Sequence, residues 1–272
     1  MDRYRLKNII ILILSLMNMF LLASLAIREG ARQSAKETAV EQLVSLFAAD
    51  GITLDPDVIS DETPPSSRSL TRSTDLERRA AALLLGSSLS SSDQGGGISS
   101  YSSNRGAVQF RSGGSFNASG TLCQEDPTGF CQDFCREFGY SKPVFQLDPT
   151  GSGTGTAVFL CDGLSVYNRT LTFTFTEGVL TSVSGILLPQ TYTELASDVE
   201  PLSASAALTA FQKVRRETSA VVSSITDLDL CLEYQSSSTT SMSLIPAWCI
   251  VTNTGEYYVN CSTGAVTFGG IL

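Results

Sequence analysis

The chain has 272 residues, room for one large or two small domains, and sets 18 Lys and Arg against 27 Asp and Glu for a net charge of −9. Beyond the N-terminal region its cations form no stripe and it has a single Trp, so it lacks the clustered positive charge that neutralises nucleic-acid phosphates. Histidine is absent, which removes the commonest general base, the Ser–His and Cys–His nucleophile pairs and most zinc sites. Carboxylate, lysine and serine–lysine chemistry survive that exclusion, but no segment displays them. The expectation is a chain with no catalytic residues, no metal and no cofactor.

Arg3, Arg5 and Lys7 precede an almost unbroken apolar run from Ile9 to Ile27, 19 residues interrupted only by Ser15, Asn18 and Ser24. That length suffices for a helix to cross a hydrocarbon layer of about 30 Å. A cleaved secretory signal has a shorter apolar region and ends at small residues, an end that Ser24-Leu25-Ala26 can also supply. The length favours an uncleaved anchor over 9–27, behind a cytoplasmic tail of residues 1–8. Arg28, Arg32 and Lys36 follow the run, so charge specifies orientation only weakly. A short tail inside and the bulk of the chain outside fits best. Such an acidic exported portion has little attraction to anionic lipid heads. Asn18 is a buried-amide candidate within the span. In hydrocarbon it gains roughly 0.6–2 kcal/mol from a partner helix, or is tolerated alone or bonded to its own backbone.

Val40, Leu43, Val44 and Phe47 repeat at helical spacing over 34–49, and Gly51 after Asp50 is placed to cap that helix. Ile52–Leu54 reads as extended, and 61–72 is rich in Pro and Ser. Leu76–Leu85 has helical composition with Thr74 as N-cap. The Ser/Gly tract at 86–105 holds too little apolar surface to offset its ordering entropy and is expected to be a mobile loop. Residues 107–110 and 115–117 alternate around Gly113-Gly114 as a hairpin, and a helix is expected over 128–138. Strand-like runs follow at 157–161, 170–176 and 179–187. The middle run alternates apolar and hydroxyl residues, one face buried and one wet, and Glu177-Gly178 turns it into the next.

Residues 189–202 read as a linker. A second unit opens with Ser203 as helix N-cap, burying Ala204, Ala207, Leu208, Phe211 and Val214, with Lys213, Arg215 and Arg216 facing water. Strands at 225–234, 247–253 and 257–261 follow, with a Ser/Thr loop at 236–241. The expected fold is α+β: an N-terminal transmembrane helix, then an extracytoplasmic region of two helix-plus-antiparallel-sheet units over 28–188 and 203–272.

Seven cysteines leave at least one without an intrachain partner. Cys131 and Cys135 share a helical face, but the two further ligands that a metal needs are missing. If Thr254-Gly255-Glu256 is a three-residue loop, Cys249 faces Cys261, near enough for a disulfide at a non-hydrogen-bonded pair. With a two-residue loop Cys249 meets Asn260 instead. The glycine-rich run at 150–155 leads into a strand and lacks the lysine of a phosphate loop, so it reads as a turn. Ser141-Lys142, beside Pro143, is a loop. The glycosylation-type triplets at Asn117, Asn168 and Asn260 are assigned no role.

The front of the chain, with Met1-Asp2, Lys7 and Asn18-Met19-Phe20-Leu21-Leu22, resembles the start of YycI-type proteins, membrane-anchored regulators of a two-component sensor kinase. Pro246-Ala247-Trp248-Cys249-Ile250-Val251, followed by Gly255-Glu256-Tyr257-Tyr258-Val259 and Thr263-Gly264, is similar to the closing hairpin of YycH/YycI domains and PepSY-like modules. The resemblance covers the two ends; the Ser/Gly tract and the cysteines depart from it. It implies a non-enzymatic regulator whose anchor, at Asn18, Met19, Phe20, Leu21 and Leu22, touches the membrane helices of a sensor kinase or another membrane protein. Such contacts bias a kinase only through differential affinity for its states. The competing reading is an extracytoplasmic peptide- or ligand-binding, or protease-inhibitory, PepSY-like module. A histidine-free hydrolase would instead show a deep pocket with a strongly perturbed ionisable pair.

Overall fold

The computed structural model describes residues 2–196, 200–236 and 241–270, with side chains described outside 2–12, 26–36 and 270. The cations flanking the apolar run (Arg3, Arg5, Lys7, Arg28, Arg32, Lys36) lie outside the described side chains. Most of the expected Ser/Thr loop, 237–240, lies outside the described residues, as do 197–199 of the expected linker.

The chain begins with one continuous helix, α1 (Asp2–Ala49). Gly51, at φ 74°, takes the left-handed conformation that ends it, and the Ile52 N–H returns to the Phe47 carbonyl at 3.0 Å. Strands β1 (Thr53–Leu54) and β2 (Arg68–Thr71) lead to α2 (Thr74–Leu85). Its cap is Ser73 rather than the expected Thr74: the Ser73 hydroxyl accepts the Leu76 N–H at 3.3 Å.

The mobile loop expected at 86–105 is instead two strands, β3 (Ser90–Gly95) and β4 (Ile98–Ser103). Composition misled here because the tract is ordered by pairing, not by burial. Every β3 residue is exposed, yet β4 is hydrogen-bonded along β5 (Gly106–Phe110). Tyr101 sets its ring edge on Phe110 at 5.9 Å, and the Ser103 hydroxyl donates to the Leu85 carbonyl at 2.9 Å. Arg72 reaches over to the Gly97 carbonyl and the buried Glu77.

The hairpin expected around Gly113-Gly114 joins β5 to β6 (Ser115–Cys123), with Phe110 opposite Phe116. Gly106 lies opposite Gly120; a Cβ on Gly106 would meet the Ser119 carbonyl oxygen and one on Gly120 that of Arg105, each at 2.1 Å. Only glycine allows that approach. α3 (Pro127–Phe138) is capped by Asp126, whose carboxylate accepts the Gly129 N–H at 3.0 Å, and ends at left-handed Gly139. Then come β7 (Val144–Leu147), β8 (Gly153–Cys161), β9 (Leu164–Thr176) and β10 (Val179–Ile186). Leu171, Phe173 and Phe175 of β9 are buried while Thr170 and Thr176 are exposed, the alternation its sequence displays. Glu177 and Gly178 both have positive φ in the two-residue turn to β10.

These strands run antiparallel in the order β7-β8-β9-β10-β6-β5-β4-β3. A chain of rings (Phe110, Phe116, Phe134, Phe173) fills the space between this sheet and α3, with neighbouring centroids 5.5–6.4 Å apart.

After β11 (Thr193–Glu194), α4 (Ala204–Thr218) starts at the expected Ser203 cap. It buries Ala207, Leu208 and Phe211 against β12 (Ser224–Ser236), β13 (Ser241–Thr252), β14 (Gly255–Asn260) and β15 (Val266–Gly270). Trp248 is wholly buried there and donates its indole N–H to the Leu202 carbonyl at 2.8 Å.

The β12–β13 hairpin is long enough to enter the two larger hydrophobic clusters, and Cys231 and Ala247 on it pack with Tyr258 in a small third one. Ile225, Leu228, Trp248 and Ile250 belong to the cluster under α4; Leu232, Tyr234, Met242 and Leu244 belong to the one under α2 and α3. β13 pairs with β2 at one end and β14 at the other. Pro246, which has no N–H to give, sits between the two partners. The described residues form an α+β fold on one connected set of strands.

The last hairpin corrects the expected cysteine pairing. Thr252 lies opposite Gly255 across a two-residue turn, which places Cys249 opposite Tyr258, not Cys261 or Asn260. Cys261 lies beyond that register, its N–H on the Pro246 carbonyl at 2.9 Å, and both thiols are free.

Candidate functional site

At 1.5 Å per residue the 48 residues of α1 extend about 72 Å. Between 13 and 25 its side chains are exposed and mostly large and apolar, Phe20 at 72% and Leu22 at 68%. Contiguous exposed apolar surface of this extent is uncommon on a monomeric soluble protein. Asn18, Met19, Phe20, Leu21 and Leu22 all lie outward on this stretch; none enters a hydrophobic cluster of the body. Ser24 returns its hydroxyl to the Leu21 carbonyl at 2.9 Å, which removes one polar group from competition. Among the described residues no helix is long and apolar enough to cross a membrane; of the 9–27 run, only 13–25 carry described side chains.

The other end of α1 is fixed. Leu43 and Phe47 are buried, and the Phe47 ring stacks on Phe211 of α4 with centroids 6.3 Å apart and planes 13° from parallel. One turn on, the Asp50 carboxylate accepts from Gln212 at 2.6 Å, from Arg216 at 2.8 and 3.1 Å, and from Arg215. The Arg216 hydrogen bond, with the charges of both arginines, holds this carboxyl below the usual carboxylate range. Arg215 and Arg216 were expected to face water; Arg216 is half exposed and Arg215 largely covered, and both hold Asp50 at the end of α1. The end of α1 covers the Arg215 side of α4, which periodicity within α4 does not reveal.

All seven thiols are free. Burial pushes Cys135 and Cys261 up to about 12 and raises Cys131 as well, so none of these is a thiolate at neutral pH. Among the described residues no three His, Cys, Asp or Glu are grouped to hold a metal ion. Asn168 is engaged on both sides of its amide by the Tyr234 backbone, and Asn260 binds Glu233 and the turn at 262–263. Both are structural. Asp148 gathers the N–H groups of Thr150 and Ser152, each at 2.9 Å, so the glycine-rich run is the expected turn into β8. The Ser141 hydroxyl accepts the Val158 N–H at 3.1 Å, tying its loop to the sheet.

No known protein family and no curated protein matches this chain. A solved structure, that of an uncharacterized protein from Eubacterium rectale ATCC 33656, is similar with a TM-score of 0.46 and 11% identity. The match covers 76% of this chain and 86% of that one.

Proposed function

We propose that this protein is a membrane-anchored, non-enzymatic extracytoplasmic regulator that modulates a sensor histidine kinase through helix and domain contacts. The observation that carries the reading is the form of α1: one unbroken helix, outwardly apolar at 13–25 and clamped at Phe47 and Asp50 to the body. In this reading residues 9–27 cross the cell membrane once, the tail 1–8 is cytoplasmic, and two helix-plus-sheet units stand outside. Asn18 to Leu22 meet the partner's membrane helices. Replacing 9–27 by an unrelated membrane helix tests it. Kinase modulation should be lost while the chain stays anchored; modulation that survives the swap rejects helix contact as the mechanism.

A second reading, an extracytoplasmic peptide- or ligand-binding or protease-inhibitory module, draws on an open cleft of about 500 Å³ between α2 and α3. Leu83 and Phe138 give it an apolar surface, and Arg79, Arg136 and Glu137 give it charge. That reading predicts function independent of which helix anchors the chain.

A further inference from the structure

The cleft between α2 and α3 sets both signs of charge beside apolar surface. Arg79 of α2 reaches across it to Glu137 of α3, and along α3 Arg136 donates to Asp133 at 2.6 Å. All four side chains are at least half exposed, from 50% at Glu137 to 78% at Arg136. Ion pairs so open to water are weak, and an incoming group can exchange into them at little cost. The Arg79 guanidinium lies 6.0 Å over the Phe138 ring. Leu83 is 39% exposed at the cleft, whereas its neighbours Leu84 and Leu85 are buried. A second hollow of about 330 Å³ shares Arg79, Glu137 and Phe138, so the groove continues past the ion pair. There Thr71, Ser73, Gln190 and Thr191 supply uncharged hydrogen-bonding groups, and Asp75 is paired with Arg78.

We propose that this groove binds a short peptide with free termini and an apolar side chain. The side chain lies on Leu83 and Phe138, the terminal carboxylate on an arginine of the cleft and the terminal ammonium on a carboxylate, with backbone amides over the second hollow. The proposal rests on the peptide-binding reading and names its ligand. Charge balance makes the choice. An anion alone, taken up by Arg79, would part Glu137 from its cation and leave two like charges side by side. A cation alone, taken up by Glu137, would do the same to Arg79. A ligand that carries both signs replaces what it displaces. The size agrees, since sites for small ligands have volumes of about 300–1,000 Å³.

The test titrates trileucine into the full chain in detergent micelles by calorimetry. Two comparisons run beside it: N-acetyl-trileucine amide, which lacks both terminal charges, and triglycine, which lacks the apolar side chains. Trileucine should bind about tenfold more tightly than either, and its advantage over the blocked peptide should shrink as salt is raised. The variant R79Q/D133N/R136Q/E137Q removes two charges of each sign from exposed positions and leaves the net charge unchanged. It should abolish the advantage of free termini while the thermal transition stays in place. Leu83→Asn should weaken trileucine about threefold and keep the preference for free termini. Equal binding of trileucine and its blocked form overturns the proposal in favour of an internal segment of a partner, and leaves the peptide-binding reading standing. Absence of binding by all three peptides overturns both. A preference that survives the fourfold variant in folded protein also overturns the proposal, as does peptide-free dimerisation that the variant abolishes, which would make the occupant a second copy.

Discussion

Asp50 and Phe47 lie one turn apart and join α1 to α4 by different forces. Phe47 is wholly buried, so Phe47→Ala removes its transfer energy and leaves a cavity, costing about 3–5 kcal/mol in denaturant unfolding of the full chain. Asp50 acts through charge. Its carboxyl titrates lower in the folded chain than in the unfolded one, so its contribution is present above the unfolded value of about 3.9 and disappears as pH falls through the lowered folded value. Asp50→Asn should therefore be less stable than the parent at neutral pH, with the gap closing in acid. A gap independent of pH would contradict the clamp. Asn18→Leu should weaken in-membrane association with a partner helix by roughly 0.6–2 kcal/mol, as energy transfer between labelled helices would show. The sequence displayed Phe47 on its apolar stripe, but the ion pairs of Asp50 span more than 160 positions and leave no local pattern.

At the scale of elements, legibility followed burial. The alternating face of β9, the Ser203 cap of α4 and the left-handed end of α1 are local signals and could be read residue by residue. β3 and β4 could not, because their order comes from the edge of β5 and from Arg72, Tyr101 and Ser103. The β13–β14 register turned on where the turn falls, at Asn253-Thr254 rather than from Thr254 onward, to which composition is blind. Amide exchange checks the first of these points. Residues 98–103 should be protected along β5, whereas β3, paired only with β4, should exchange faster. For α1, the claim is continuity: Ala35→Pro should kink the helix at a cost of about 3 kcal/mol and, on the proposed regulator reading, uncouple kinase modulation without releasing the chain from the membrane. Modulation that persists would show that the helix need not be unbroken.

For the whole molecule, the long β12–β13 hairpin makes the two larger hydrophobic clusters interdependent. One hairpin contributes Trp248 and Ile250 to one of them and Leu232 and Leu244 to the other. Loss of either cluster strips support from strands that the other needs, so thermal unfolding should be a single transition. Fluorescence of Trp248, the chain's one tryptophan, should coincide with exchange at Phe173 and Phe110. Two separated transitions would mean that the hairpin can fray at one end while holding at the other. A break at 189–202 suggested itself in the sequence because Pro and turn residues collect there. That composition carries no sign that strands beyond it return to complete the first cluster.

A stiff shaft seated at one end also acts as a lever. With about 72 Å between its tips, a tilt of only about 5° at the Asp50 seat sweeps the far tip sideways by about 6 Å, more than half a helix diameter. Motions too slight to disturb either cluster would thus arrive at the N-terminal end as displacements large enough to exchange one set of neighbours for another.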